Sequence, residues 1–108
     1  MNPKPGEVWL ADLGFTAKTR PVIIVSRQDA NPPRAIVVYV PLTTQNRQSR
    51  YEVPLPQLRF LSRDSVANVQ GLGSIPTMRL ERRLGDLPGD IFAGVKKAIE
   101  FALDLGAT

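Results

Sequence analysis

Pro21-Val22-Ile23-Ile24-Val25-Ser26 and, after a proline-rich break, Ala35-Ile36-Val37-Val38-Tyr39-Val40-Pro41-Leu42 form the stretch on which the fold turns. Both segments are β-branched and apolar without the alternation of a half-solvated strand, which is the pattern of strands covered on both faces. Asn31-Pro32-Pro33 between them is turn chemistry, so a hairpin is the simplest connection and the pair is the expected centre of a sheet. Upstream, Gly6-Glu7-Val8-Trp9-Leu10-Ala11-Asp12-Leu13 reads as a further strand with Trp9 on the face opposite Val8 and Leu10, ending at Gly14. Downstream, residues 43–50 are wholly polar and read as a loop, and Tyr51-Glu52-Val53-Pro54-Leu55 reads as a short strand that Pro54 and Pro56 confine to an edge. Residues 65–75 are expected to form one strand, with a bulge or sharp bend at Gly71 and Gly73. Residues 78–87 read as a turn plus a short strand or helical turn. From Pro88 onward, Ile91, Val95, Ala98, Ile99, Ala102 and Leu103 recur at spacings of three and four, which predicts one amphipathic helix. Lys96 and Glu100 are expected to pair on its outer face.

Short strands followed by one helix in 108 residues predict a mainly β (α+β) domain: a small SH3-like barrel of strongly bent antiparallel sheet with a C-terminal amphipathic helix, a single unit over residues 1–108. Hydrophobic residues at 43 % and charged ones at 22 % suffice for a core. The chain has no Cys and no His, which excludes disulfides, thiolate nucleophiles, imidazole acid–base chemistry and most zinc sites. No apolar run approaches the roughly 20 residues that span a bilayer. The start, Met1 to Glu7, lacks the apolar core of a secretory signal, so the expected location is the cytoplasm. The net charge is +4, but it is unevenly spread: between Leu13 and Arg63 stand Lys18, Arg20, Arg27, Arg34, Arg47, Arg50, Arg59 and Arg63 against only Asp29 and Glu52. A half-domain so rich in Arg is the electrostatic footprint of a polyanion partner, although charge alone is equally compatible with a merely solvated surface.

Three runs carry a resemblance to a known family: Pro5-Gly6-Glu7-Val8-Trp9-Leu10-Ala11-Asp12-Leu13, Thr19-Arg20-Pro21-Val22-Ile23-Ile24-Val25-Ser26, and Val40-Pro41-Leu42-Thr43-Thr44. With Asp64-Ser65-Val66-Ala67, Arg79-Leu80-Glu81-Arg82-Arg83-Leu84-Gly85 and the final helix, they resemble, in order and over nearly the whole chain, the MazF/PemK toxins of bacterial toxin–antitoxin pairs. The resemblance implies a homodimeric endoribonuclease that cuts single-stranded RNA (mRNA) without metal or other cofactor and is silenced by a cognate antitoxin, expected to be acidic. It places the family's functional pair on Arg20 and Thr43. Lys18, Thr19, Thr44, Gln45, Asn46, Arg47, Asn68 and Gln70 are the expected RNA-binding residues. Two departures stand out: the loop from Gly14 to Thr19 is short and lacks acidic residues, and the family's frequent Asp-Gln pair aligns with Gln70-Gly71, so that acid is missing. The alternatives are an RNA-binding relative with weakened catalysis and a CcdB-like, gyrase-directed toxin. The second fits poorly with a chain ending Leu105-Gly106-Ala107-Thr108.

Metal-free RNA cleavage requires a donor for the developing phosphoryl charge, and the guanidinium of Arg20 suits that task because it stays charged and can hold two oxygens. The bland reading of Arg20 is that it merely caps an edge or pairs with Asp12. Thr43 by itself reads as an ordinary strand-end hydroxyl. A general base is not identifiable: within the basic stretch only Asp29 and Glu52 are available, and Glu52 is expected to pair with Arg50. Trp9 and Tyr39 are expected to pack rather than stack bases, and Phe15 reads as contact surface.

Overall fold

The continuous apolar segments form the strands at the middle of the sheet. In the computed structural model, which describes residues 2–14 and 19–106, they are β2 (Arg20–Ile24) and β3 (Ile36–Thr43). The two run antiparallel, with Val22 opposite Pro41, Ile23 opposite Val40 and Ile24 opposite Tyr39. Side chains alternate across the sheet, so Ile23 enters one hydrophobic core while Val22 and Ile24 enter another. Both faces are therefore covered, which is why no polar residue interrupts the run.

Strand β1 (Glu7–Ala11) lies against β2 and divides its residues in the same way. Val8 joins the first core, and Trp9 and Ala11 join the second. The other edge of β1 pairs with β7 (Leu80–Asp86), through register shifts between Val8 and Trp9 and between Leu10 and Ala11. Residues 80–86 thus form a full strand rather than the turn and short segment expected. The shifts break the alternation that would have revealed it.

The single strand expected over residues 65–75 is divided. Strand β5 (Val66–Asn68), a 3₁₀ turn (Val69–Gly71) and β6 (Gly73–Pro76) follow one another. Strand β5 pairs with the end of β3 at Leu42 and Thr43, whereas β6 pairs with its beginning from Ile36 to Tyr39. The bend anticipated there is real, and it lets β3 serve both segments. The short β4 (Glu52–Pro54) pairs with β5 at the edge. The result is an open, seven-stranded antiparallel sheet in the order β4-β5-β3-β2-β1-β7, with β6 branching from β3.

Helix α1 (Gly89–Ala102) buries Val95 and Ala98 on the first core, with Ile91, Phe92, Ile99 and Ala102 packed at its margin. Pro88 precedes the first helical residue, and Leu103 lies beyond the last and is 51 % exposed. The expected Lys96–Glu100 pair is not formed. The Lys96 ammonium instead lies 5.1 Å from the Phe92 ring centroid. Among the described residues the ion pairs are Arg79–Asp12, Arg83–Glu7 and Arg83–Asp86. None of the helices among the described residues is long and apolar enough to cross a membrane.

The Pro5-Gly6-Glu7-Val8-Trp9 run has a structural explanation. Gly6 adopts φ +91°, donates to the Ile24 carbonyl and accepts from the Leu87 amide, and a side chain there would press on Phe92. The next residue, Glu7, is a buried carboxylate. It accepts from the Lys4 amide at 2.9 Å, from the Trp9 indole N–H at 3.0 Å and from Arg83 Nε at 2.9 Å. Burial disfavours its charge, but the Lys4, Trp9 and Arg83 hydrogen bonds outweigh burial and hold its pKa below the ordinary carboxylate value. Trp9 is thereby fixed as a packing residue, as expected.

Candidate active site

Extending the β2–β3 register two residues beyond Val22 and Pro41 brings Arg20 level with Thr43, at the strand ends remote from the connecting loop. Cross-strand neighbours stand about 5 Å apart. Both line one concave groove of about 290 Å³, together with Pro21, Leu42, Thr44 and the segment Leu61, Ser62, Arg63 and Ser65. Arg20 is exposed and makes no ion pair among the described residues. The bland pairing with Asp12 is not formed, since the Asp12 carboxylate faces Arg79 at 3.8 Å. A guanidinium exposed in a hollow beside a hydroxyl is a ready anion site.

Thr43 also lines a second groove, of about 330 Å³, on its other side. There it meets Gln45, Arg47, Ser49, Tyr51, Glu52, Asn68 and Gln70. The fold thus gathers Arg20, Thr43 and Thr44 in one hollow and Thr43, Gln45, Arg47, Asn68 and Gln70 in its neighbour. The Thr43 hydroxyl accepts from the Gln45 amide at 3.1 Å, and its proton is left to point elsewhere. Asn68 caps the 3₁₀ turn by accepting from the Gln70 amide at 3.2 Å.

Two expected residues lie apart from both grooves. Thr19 lines neither, and the Asn46 side chain is turned into its own loop, where it accepts from the Gln48 amide at 2.8 Å. Lys18 and Phe15 fall outside the described residues. Conversely, Arg63 and Ser62 were not singled out from sequence as site residues. They sit in an irregular segment with no periodicity to orient them, and Arg63 stood out only as one charge of the basic half.

Glu52 does not pair with Arg50. Its carboxylate accepts from the Arg47 amide at 3.1 Å and from both the amide and the hydroxyl of Ser49, at 3.0 and 2.8 Å. The Arg47 amide first, then the Ser49 hydroxyl and amide, hold its pKa below the ordinary carboxylate value. A depressed pKa makes Glu52 a weaker proton acceptor and counts against it as general base. Arg50 lies instead over the Phe101 ring, 3.9 Å from its centroid, with Tyr51 tilted against the same ring. Among the described residues no group of three or more His, Cys, Asp or Glu side chains is placed to hold a metal ion.

Residues 4–103 match the family described as PemK-like, MazF-like toxin of type II toxin-antitoxin system. The chain belongs to this toxin family. Endoribonuclease MazF3 of Mycobacterium tuberculosis is 33 % identical over 88 residues, 82 % of this chain and 85 % of the relative. Probable endoribonuclease MazF5 of the same species is 32 % identical over 103 residues, 94 % of both chains. Among solved structures, an endoribonuclease in complex with its cognate antitoxin from Mycobacterial species superposes with a TM-score of 0.83 at 28 % identity, covering 98 % of this chain and 99 % of that one. Mycobacterium tuberculosis toxin MazF-mt6 superposes with a TM-score of 0.81 at 31 % identity, covering 94 % of this chain and 99 % of that one.

In this MazF-like toxin, the Gln70-Gly71 step is shaped by packing. A Cβ on Gly71 would stand 2.8 Å from Pro41 Cγ and 3.3 Å from the Asn68 side-chain Nδ2. Only glycine lets the 3₁₀ turn close onto β3 beside the second groove.

Proposed function

We propose that this toxin-family endoribonuclease, acting in the bacterial cytoplasm, cuts single-stranded RNA by metal-independent attack of the substrate's own ribose 2′-OH, with the reacting phosphate held at the Arg20–Thr43 groove. The observation that carries the proposal is the register that sets Arg20, without an ion pair among the described residues, level with Thr43 in one hollow. In the reaction the 2′-oxygen loses its proton and bonds to phosphorus, the bond to the departing 5′-oxygen breaks, and that oxygen takes up a proton. The products are a 2′,3′-cyclic phosphate and a free 5′-OH. Arg20 neutralises the charge that develops on the phosphoryl oxygens, a role in which one donor contributes roughly 10²–10³ in rate. Thr43 orients the phosphate or the 2′-OH by hydrogen bonding. Arg63 and the amide side chains of Gln45, Asn68 and Gln70 supply further donors along the strand.

A second copy of the chain and an acidic antitoxin complete the proposal. A domain of this size has much surface for its volume, which favours pairing into a two-fold dimer. An acidic segment complements the basic half and shields it from RNA. The structure with a TM-score of 0.83 is of an endoribonuclease bound to its cognate antitoxin.

The test is cleavage of a long unstructured RNA by purified protein in excess chelator, with Arg20→Ala and Thr43→Ala as variants. Both lose cleavage with circular dichroism unchanged, Arg20→Ala by roughly 10²–10³ and Thr43→Ala by less, because only the arginine carries charge. Wild-type rates from Arg20→Ala would remove the assignment.

A further inference from the structure

Glu52 is the acid that charge logic would exclude from this place. It lines the second groove, beside the Arg47, Gln45 and Asn68 side chains expected to meet a polyanion, and a free carboxylate there would repel phosphate. Its oxygens, however, face inward along the chain. One accepts from the Arg47 amide and the other from the Ser49 amide and hydroxyl, at 2.8 to 3.1 Å. The Ser49 hydroxyl oxygen in turn accepts from the Tyr51 amide at 3.2 Å, and the Glu52 amide donates to the Ser49 carbonyl at 3.2 Å.

Glu52 itself is fixed, since it opens β4 and lies opposite Asn68 of β5. The carboxylate therefore fastens a polar loop to a paired strand. That loop needs fastening, because Gln48 adopts φ +58° without being glycine and Asn46 closes a local turn around it. From Thr43 to Ser49 the loop packs no buried side chain into either core. Its shape depends on these hydrogen bonds.

We propose that Glu52 is the positioning residue of the RNA groove: by clasping the backbone at Arg47 and Ser49 it holds the Gln45 and Arg47 side chains opposite Asn68 and Gln70, so that the strand meets a preformed wall. This rests on the RNA-cleaving function proposed above. Glu52 keeps its charge, but each carboxylate oxygen already faces a donor that partly compensates it. Glu52 touches neither the reacting phosphate nor the groove that holds Arg20, so it governs binding rather than the chemical step. Preorganisation of this kind lowers the ordering cost paid on association.

The experiment compares Glu52→Gln, Ser49→Ala and Glu52→Asp with wild type. Three quantities are measured: the NMR shifts and exchange protection of the Arg47 and Ser49 amides, the affinity for the mapped cleavage sequence made with 2′-fluoro sugars, and kcat at saturating RNA. The amide substituent of Glu52→Gln turns a donor toward one of the clasp's own donors. Both amides shift and lose protection, affinity falls about tenfold, equivalent to about 1.4 kcal/mol, and kcat stays within about twofold. Ser49→Ala shifts the same amides with a smaller loss of affinity. Glu52→Asp, which keeps the charge on a shorter arm, recovers part of it.

Unmoved amides in Glu52→Gln would overturn the clasp. Moved amides with unchanged affinity would show that the clasp only shapes a loop and has no part in RNA binding, which overturns the proposal equally. A fall in kcat as large as the loss of affinity would place Glu52 in the chemistry instead. Failure of the functional proposal has a different signature: Arg20→Ala would keep its kcat while Glu52→Gln still weakened binding and moved both amides.

Discussion

Replacing Glu7 by Gln should destabilise the fold by an amount the structure bounds from two sides. The Gln side-chain oxygen can still accept from the Lys4 amide and the Trp9 indole, but its NH₂ group then faces Arg83 Nε–H, so a donor meets a donor where a charge-assisted bond of 2.9 Å stood. Hydrogen bonds to charged groups contribute about 1.5–3 kcal/mol. The Arg83 side chain is 43 % exposed and keeps Asp86 as a partner, so water and that carboxylate absorb part of the loss. The cost should therefore lie at the lower end, about 1.5–2 kcal/mol. Glu7→Ala also strips the buried indole N–H of its acceptor, and should cost about 3 kcal/mol or more. Urea unfolding at pH 7 reads both values, with the dependence on denaturant unchanged.

The pH dependence provides a separate check. The folded-state pKa of Glu7 lies below its ordinary value of 4.5, so its contribution is fully present above that value and is lost as pH falls through the folded-state pKa. Wild type should thus lose its advantage over Glu7→Gln progressively as the pH falls below 4.5 and through the folded-state pKa. Equal stability of the two at pH 7, or a gap that does not narrow on acidification, would refute the account of Glu7 as an ionised, hydrogen-bonded anchor.

Placing deoxyribose on the 5′ side of the cut should abolish cleavage while affinity barely changes, because phosphate contacts dominate binding; gel analysis and filter binding check the two halves separately. With unmodified RNA, mass spectrometry should find a 2′,3′-cyclic phosphate or its opened form on the upstream fragment, with or without chelator. Val95, fully buried where α1 meets the first core, should cost about 1–3 kcal/mol on truncation to Ala, read by thermal or urea melts, with cleavage per folded molecule unaltered.

What the sequence disclosed follows from how each element is buried. Val22 to Val25 and Val37 to Val40 were legible as central strands because their side chains pack toward both cores and no polar residue interrupts them, although Ile36 at the start of β3 is 47 % exposed. The helix was legible because one face meets the core and the other meets water. Residues 80–86 were not, since Leu80-Glu81-Arg82-Arg83-Leu84-Gly85-Asp86 is an end strand with its charges in solvent and its register to β1 shifted twice. The break after Asn68 was half legible: glycines announced a bend, but the capping by the Asn68 side chain, which turns the bend into a 3₁₀ turn, is a contact between neighbours that no periodicity records. Within the candidate site, Arg20 and Thr43 came from the family resemblance, and the shared register now gives them a common geometric basis. The clasp of Glu52 was missed because an adjacent arginine offered a simpler partner, and that arginine lies instead over Phe101.

The placement of Arg20 and Thr43 at the open ends of β2 and β3 has a practical corollary. The link between those strands lies at their opposite end, so its length does not determine which residues come level at the groove; the pairing of the core side chains does. Residues 29–34, all but Pro32 exposed, can therefore accept an inserted peptide tag or a change of length without altering the alignment of the two residues. A slip of one residue between the strands would turn every side chain of one strand to the other face and expose the core, so the fold itself rejects misalignment. The chain can be engineered from this end while the other stays fixed.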